Sequence, residues 1–173
     1  IEKEKKILKT TVPITVKISP DIQDENVNII SDLLLKHNVK AVIISNTTDR
    51  NRENLSNINK LEKGGLSGKP LEKKSNELIN KFYRILKNQI KIIGVGGVDS
   101  GQGAYQKIIN GASLVQLYTG MIYQGPSIAS KISEELINIL DKEGVKNISD
   151  IVGSKNWPWL VTLEHLYSHK FYV

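Results

Sequence analysis

The 173-residue chain carries 24 Lys and Arg against 18 Asp and Glu, a formal charge of +6, and 39% of its residues are hydrophobic. It contains no cysteine, which excludes disulfides, thiolate metal sites and a cysteine nucleophile; no metal site is expected. No apolar run approaches the roughly 20 residues that cross a bilayer, and the charged opening Ile1-Glu-Lys-Glu-Lys-Lys6 lacks the apolar stretch of a signal peptide.

The lysines are spread over helix faces among acidic neighbours, so the charge reads as solubility and no nucleic-acid partner is expected. Residues 12–18 read as a strand. Residues 24–37 read as a helix, with Val27, Ile30, Leu33 and Leu34 spaced for one face. The next strand is 39–45, followed by a polar connection over 46–69 that contains Gly64-Gly-Leu-Ser-Gly68. A connection of that length in a compact unit is usually functional or mobile. A helix over 72–88 turns Leu78, Ile79, Phe82, Ile85 and Leu86 inward. The run 91–95 is apolar enough to be buried on both faces. A helix over 103–110, opening near 99–101, a strand over 113–117 and a helix over 127–143 complete the pattern.

Strands alternating with helices predict an α/β fold with a parallel sheet. Four βα units amount to half of a TIM (β/α)8 barrel, since the closed form typically needs about 250 residues. Gly96 and Gly97 follow the third strand and let backbone amides approach an anion with no Cβ in the way. The amino end of the next helix is expected to point its N–H groups and dipole to the same place. The loops after the last two strands of such barrels frequently form a phosphate site. Gly96, Gly97, Tyr118 and Thr119 are therefore expected to grip a phosphate.

Five ordered segments carry a resemblance: Val16-Lys-Ile-Ser-Pro-Asp21, Ser45-Asn-Thr-Thr48, Gly64-Gly-Leu-Ser-Gly-Lys-Pro-Leu71, Ile93-Gly-Val-Gly-Gly-Val98 and Gly111-Ala-Ser-Leu-Val-Gln-Leu-Tyr-Thr119. In order and spacing they resemble the carboxyl-terminal half of dihydroorotate dehydrogenase. Leu117-Tyr118 after Val115-Gln116, followed by Gly125-Pro126, resembles the class 2, quinone-reducing form. The resemblance spans residues 11–153. It implies FMN as cofactor, dihydroorotate and orotate as substrate and product, and ubiquinone as electron acceptor. It also implies pyrimidine biosynthesis at the mitochondrial inner membrane, or the bacterial inner membrane, reached through an extension this sequence does not contain.

The resemblance implies FMN contacts from Lys17, Ser45, Ser67, Gly68, Gly96, Gly97, Leu117, Tyr118 and Thr119. Lys17 ends an apolar strand, where a cation is costly unless something anionic meets it; the implied role is to stabilise charge on the reduced flavin, and the alternative is a pair with a barrel carboxylate. Asn46 and Thr47 are implied to bond the edge of the pyrimidine, although Asn-Thr-Thr alone also reads as a turn or cap. Ser67 and Gly68 sit in a glycine-rich stretch that equally resembles a flexible surface loop. Tyr118, Met121, Ile122 and Pro126 are implied to line a quinone tunnel, with core packing the alternative for Met121 and Ile122.

The class 2 base is a serine on the earlier half of the barrel, and no catalytic residue is expected in this chain. Ser45 and Ser67 have no partner that would make either a base, and His37, His165 and His169 fall at a helix end and in the tail. The chain alone is expected to be incompetent: it belongs to a larger polypeptide, needs a second chain that supplies the amino-terminal half, or is a degenerate gene product. An initial Ile1 fits an internal piece of a longer chain. The half-barrel is assigned to residues 1–155, and 156–173, with Trp157-Pro-Trp159 and Phe171-Tyr-Val173, to an atypical aromatic tail. Two other classes stay open: another phosphate-binding barrel enzyme, such as an isomerase or aldolase, and a non-catalytic fragment or assembly subunit.

Overall fold

Four short β-branched runs and the helices between them set the architecture of the computed structural model, which describes residues 1–157 apart from 51 and 54. Helix α1 (Glu2–Ile7) precedes strand β1 (Thr15–Ile18), and helix α2 (Asp24–Lys36) leads to β2 (Ala41–Ile44). A long connection and helix α3 (Glu72–Leu86) precede β3 (Lys91–Val95), and α4 (Gly101–Asn110) leads to β4 (Leu114–Gln116). Helices α5 (Thr119–Gln124) and α6 (Ile128–Lys142) follow. The strands form one parallel sheet in the order β1-β2-β3-β4, in a register that pairs Lys17 with Ile43 and Ile44 with Gly94. This is the partial barrel that the alternation predicts. Residues 158–173, most of the expected aromatic tail, lie outside the described residues.

Val42, Ile44 and Ile92 on the central strands meet Leu78, Ile79, Phe82 and Leu86 of α3, and Val27 and Leu34 of α2 close the same core. Each such side chain contributes about 1.5–3 kcal/mol when fully buried. A second cluster, Val98, Ala104, Ile128 and Ile132, joins α4 to α6. Among the described residues, strands β1 and β4 each pair on one side only, and Leu114 of β4 is 61% exposed.

Several boundaries differ from the sequence reading for local reasons. Strand β1 starts at Thr15, because Pro13 has no N–H to give a ladder and Val12 is exposed. On α2 the inner face runs through Val27, Ile30, Ser31 and Leu34, whereas Leu33 is 49% exposed. Ser31 is tolerated there because its hydroxyl donates to the Val27 carbonyl at 2.8 Å. Within the 46–69 connection the described residues form a 3₁₀ turn at Ile58–Leu61 and an antiparallel bridge between Thr48 and Leu66. Helices α1 and α5, six residues each, are too short to carry a periodic signal.

Candidate active site

Parallel strands deliver all their carboxyl ends to one side of the sheet, and there the loops enclose a cavity of about 280 Å³. Lys17 reaches it from the end of β1. Ser45, Asn46 and Thr47 follow β2, Gly96 and Gly97 follow β3, and Leu117, Tyr118 and Thr119 follow β4. Ser67 and Gly68 arrive from the far end of the long connection. The eleven residues expected to contact FMN or orotate thus share one cavity wall.

The backbone explains how they are held. Asn46 N–H donates to the Ile18 carbonyl at 2.9 Å and Ser45 N–H to the Val95 carbonyl at 3.2 Å, so the exit of β2 is fixed from both neighbouring strands. Ser45 is buried, its hydroxyl donating to the Asn46 carbonyl at 3.2 Å. The turn and cap reading of Asn-Thr-Thr belongs to Thr48 alone, which is buried and accepts from Arg50 N–H at 3.1 Å, leaving Asn46 and Thr47 exposed toward the cavity. Gly68 has φ +79°, and a Cβ there would stand 2.9 Å from the Thr119 methyl. That close approach lets the Thr119 hydroxyl donate to Ser67 Oγ at 3.0 Å.

Among the described residues no carboxylate pairs with Lys17, and the alternative in which a barrel acid neutralises it is not found. The expected contribution of α4 to the anion site is corrected. Gly101 N–H, at its start, donates to Glu135 of α6 at 2.6 Å, and Gly103 N–H to Ser100 Oγ at 3.1 Å, so these donors are consumed internally. Helix α5 opens on the cavity instead, with Thr119 and Gly120 in its wall and, among the described residues, no side chain capping it. Met121, Ile122 and Pro126 do not line the cavity; they stand on the exposed side of α5 and the turn after it. Core packing is also corrected, since Met121 is 42% and Ile122 67% exposed.

Four polar wall residues escaped the sequence reading: Lys69, Asp99, Tyr123 and Gln124. Lys69 bridges Glu72 at 2.9 Å and Asp99 at 3.0 Å, and the Glu72 hydrogen bond holds its ammonium above the usual lysine value against the effect of burial. Gln124 donates to the Asp99 carbonyl at 3.0 Å. Their signal was present in Gly68-Lys69 and Val98-Asp99, which adjoin the glycine turns that were singled out. Tyr123 needed α5 to be recognised as a helix, which places it one turn after Thr119.

Behind the glycine turn lies Lys107, fully buried between α4 and α3. Its ammonium donates to Asn76 Oδ1 at 2.7 Å and approaches the Glu72 carbonyl at 3.5 Å. Burial pulls its pKa down to about 7, with the charge of Glu72 opposing and that of Lys69 adding to the drop.

A family model described as dihydroorotate dehydrogenase matches residues 2–140. The chain is 41% identical over 141 residues to a dihydroorotate dehydrogenase (quinone) of Deinococcus radiodurans, covering 82% of this chain and 38% of that protein. It is 42% identical over 143 residues to a mitochondrial dihydroorotate dehydrogenase (quinone) of Arabidopsis thaliana, covering 82% of this chain and 31% of that one. A crystal structure of DHODH from Eimeria tenella in complex with ferulenol superposes with a TM-score of 0.81 at 40% identity, over 84% of this chain and 39% of that chain. The chain therefore spans about two fifths or less of the length of these relatives. No helix among the described residues is long and apolar enough to cross a membrane.

Proposed function

The chain belongs to the dihydroorotate dehydrogenase family, and we propose on that premise that it supplies the FMN-phosphate grip and part of the orotate site of a quinone-dependent enzyme oxidising dihydroorotate to orotate in pyrimidine biosynthesis. The observation that carries this reading is the convergence of Lys17, Asn46, Thr47, Ser67, Gly68, Gly96, Gly97 and Thr119 on one cavity at the carboxyl ends of the strands.

The donor set fits a flavin phosphate. Hydroxyls of Ser67 and Thr119 stand 3.0 Å apart, Gly68, Gly96 and Gly97 bring backbone to the cavity wall, and α5 has no side-chain cap among the described residues. Bound FMN would supply the hydride acceptor and pass the electrons on to ubiquinone. Lys17, a cation without a carboxylate partner among the described residues, stabilises negative charge where hydride is delivered. Asn46 and Thr47 offer a carboxamide and a hydroxyl to the carbonyl and N–H edge of the pyrimidine and so orient the substrate. Ser45 and Leu117 fill the wall beside them. No residue of this chain is assigned as the base that removes a substrate proton; it comes from the part of the barrel outside the matched two fifths.

Tyr118 joins the flavin wall to a quinone path, with Met121, Ile122 and Pro126 along the exposed flank of α5. The partners in this reading are the amino-terminal half of the barrel and a membrane surface reached through an extension. The location is the inner mitochondrial membrane, or the inner membrane of a bacterium. Residues 1–155 form the barrel portion, with 156–173 as an appended tail.

The test is the absorbance of the purified protein carrying this chain, recorded near the flavin bands before and after anaerobic dihydroorotate. Bound flavin that bleaches and recovers on ubiquinone is the expected result. Bound flavin indifferent to dihydroorotate sinks the substrate assignment, and a protein unable to take up FMN sinks the cofactor assignment. The 173-residue chain by itself is expected to bind FMN weakly and to leave it oxidised.

A further inference from the structure

Asp21 does not line the cavity, yet it is the point at which three elements meet. It lies in the turn after β1, where its own N–H donates to Ser19 Oγ at 3.1 Å. Its carboxylate accepts from the Thr48 hydroxyl at 2.7 Å and the Lys74 ammonium of α3 at 2.5 Å through one oxygen, and from Asp49 N–H at 3.2 Å through the other. Burial pushes this carboxyl up, but the bonds from Lys74, Thr48 and Asp49 outweigh it and hold the group below the usual carboxylate value. The side chain is a partly buried anion with several donors aimed at it, which is the condition under which such a group fixes geometry.

Those donors bracket the pair assigned to the pyrimidine. On the upstream side Asn46 N–H is tied to the Ile18 carbonyl at 2.9 Å. On the downstream side Thr48 is tied to Asp21 by its hydroxyl and to Leu66 by both backbone groups, at 3.1 and 2.7 Å. Only Thr47 separates the anchored Asn46 from the anchored Thr48, so the placement of the pair over the cavity depends on where Thr48 is held. We infer that Asp21 is a positioning residue that sets Asn46 and Thr47 through Thr48, and so governs affinity for the pyrimidine without touching it; this rests on the assignment of those two residues to orotate. Moving a substrate-orienting group by about 1 Å can cost on the order of 10- to 100-fold.

The experiment uses the flavin-loaded protein that carries this chain, with Thr48→Val, Thr48→Ser and Asp21→Asn compared with the parent. Thr48→Val keeps the shape and removes the hydroxyl, whereas Thr48→Ser keeps it. Orotate affinity is read from the perturbation of the flavin spectrum, KM is measured separately for dihydroorotate and ubiquinone, and flavin content and thermal unfolding are followed in parallel. The expected result is that Thr48→Val and Asp21→Asn weaken orotate binding and raise KM for dihydroorotate by about 10- to 100-fold. KM for ubiquinone and flavin content stay at the parent values, and Thr48→Ser restores orotate affinity. The inference is overturned if both variants bind orotate within about twofold of the parent, a difference of only ~0.4 kcal/mol. It is equally overturned if flavin content and both KM values degrade together, since the network then only holds the fold. A parent that neither binds orotate nor oxidises dihydroorotate fails at the earlier step and removes the site assignment itself, a result visible before any variant is made.

Discussion

Lys107 and Lys17 show how differently one residue type behaves at two places. Lys17 was legible because a cation at the end of an apolar strand has no ordinary reason to be there. Lys107 was not, since a lysine on a helix reads as surface until α3 is seen packed over it. Its folded pKa of about 7 lies below the ordinary 10.5, so the unfolded chain binds more protons between those values. Stability from this group therefore rises with pH across that window, and below it the burial penalty is fully present. Lys107→Met should flatten the rise, which is checked by comparing urea midpoints of parent and variant at about pH 7 and about pH 9. A parent with the same slope as the variant removes the argument. Gly65 makes a second case, because a Cβ there would overlap the Thr47 side chain. Gly65→Ala is expected to displace Thr47 and weaken orotate binding about tenfold or more while leaving flavin content alone, measured by titrating the flavin-loaded protein. The Gly64-Gly65 pair was visible in the sequence, but its purpose required knowing that Thr47 lies against it.

At the scale of elements, the long connection after β2 depends on Arg52. Its guanidinium donates to the carbonyls of Lys60 at 3.2 Å and Glu62 at 2.6 Å, and also to that of Gly64. One side chain thus gathers the return leg that delivers Ser67 and Gly68. Arg52→Ala should leave several carbonyls to water, speed proteolytic cleavage within residues 57–64, and weaken FMN retention. Limited proteolysis followed by mass analysis of the fragments checks it, and an unchanged cleavage rate would count against the clamp. Composition suggested a loop here and nothing in the periodicity marked Arg52, because the bonds it makes run to backbone and not to a patterned partner. The same holds for α5: six residues give less than two turns, so its exposed Met121 and Ile122 could be read as buried. By contrast α3 and β3 were read nearly to the residue, since fifteen residues of inward-facing apolar spacing and a five-residue β-branched run leave little choice.

For the whole molecule, the order β1-β2-β3-β4 leaves an unpaired edge at each end of the sheet among the described residues. Edges of this kind recruit other strands. The purified 173-residue chain is expected to self-associate with rising concentration, and Leu114→Lys, which puts a charge on the β4 edge, to reduce that association. Light scattering coupled to size separation measures it; a concentration-independent monomer for the parent would refute the expectation. The half-barrel was legible because alternation of element types survives any local error in boundaries. What escaped were the ties between distant segments, Asp21 to Thr48 and Lys74, and Arg52 to its carbonyls, which no spacing rule connects.

Gly101 has no room for a Cβ because α6 crosses directly over it, and there Glu135 receives the Gly101 N–H. Helix α6 is therefore a structural keystone for α4. Shortening the polypeptide from its carboxyl end should be tolerated only down to Trp157, because the segment before it is docked: Gly153 N–H donates to the Ile108 carbonyl of α4 at 3.0 Å, the Tyr83 hydroxyl of α3 donates to the Val152 carbonyl at 3.0 Å, and Ile151 is buried. Hydrogen exchange at the start of α4 should then stay slow. Cutting into α6 before Glu135 should release α4 as well, so α4 and α6 are gained or lost together as one cooperative block.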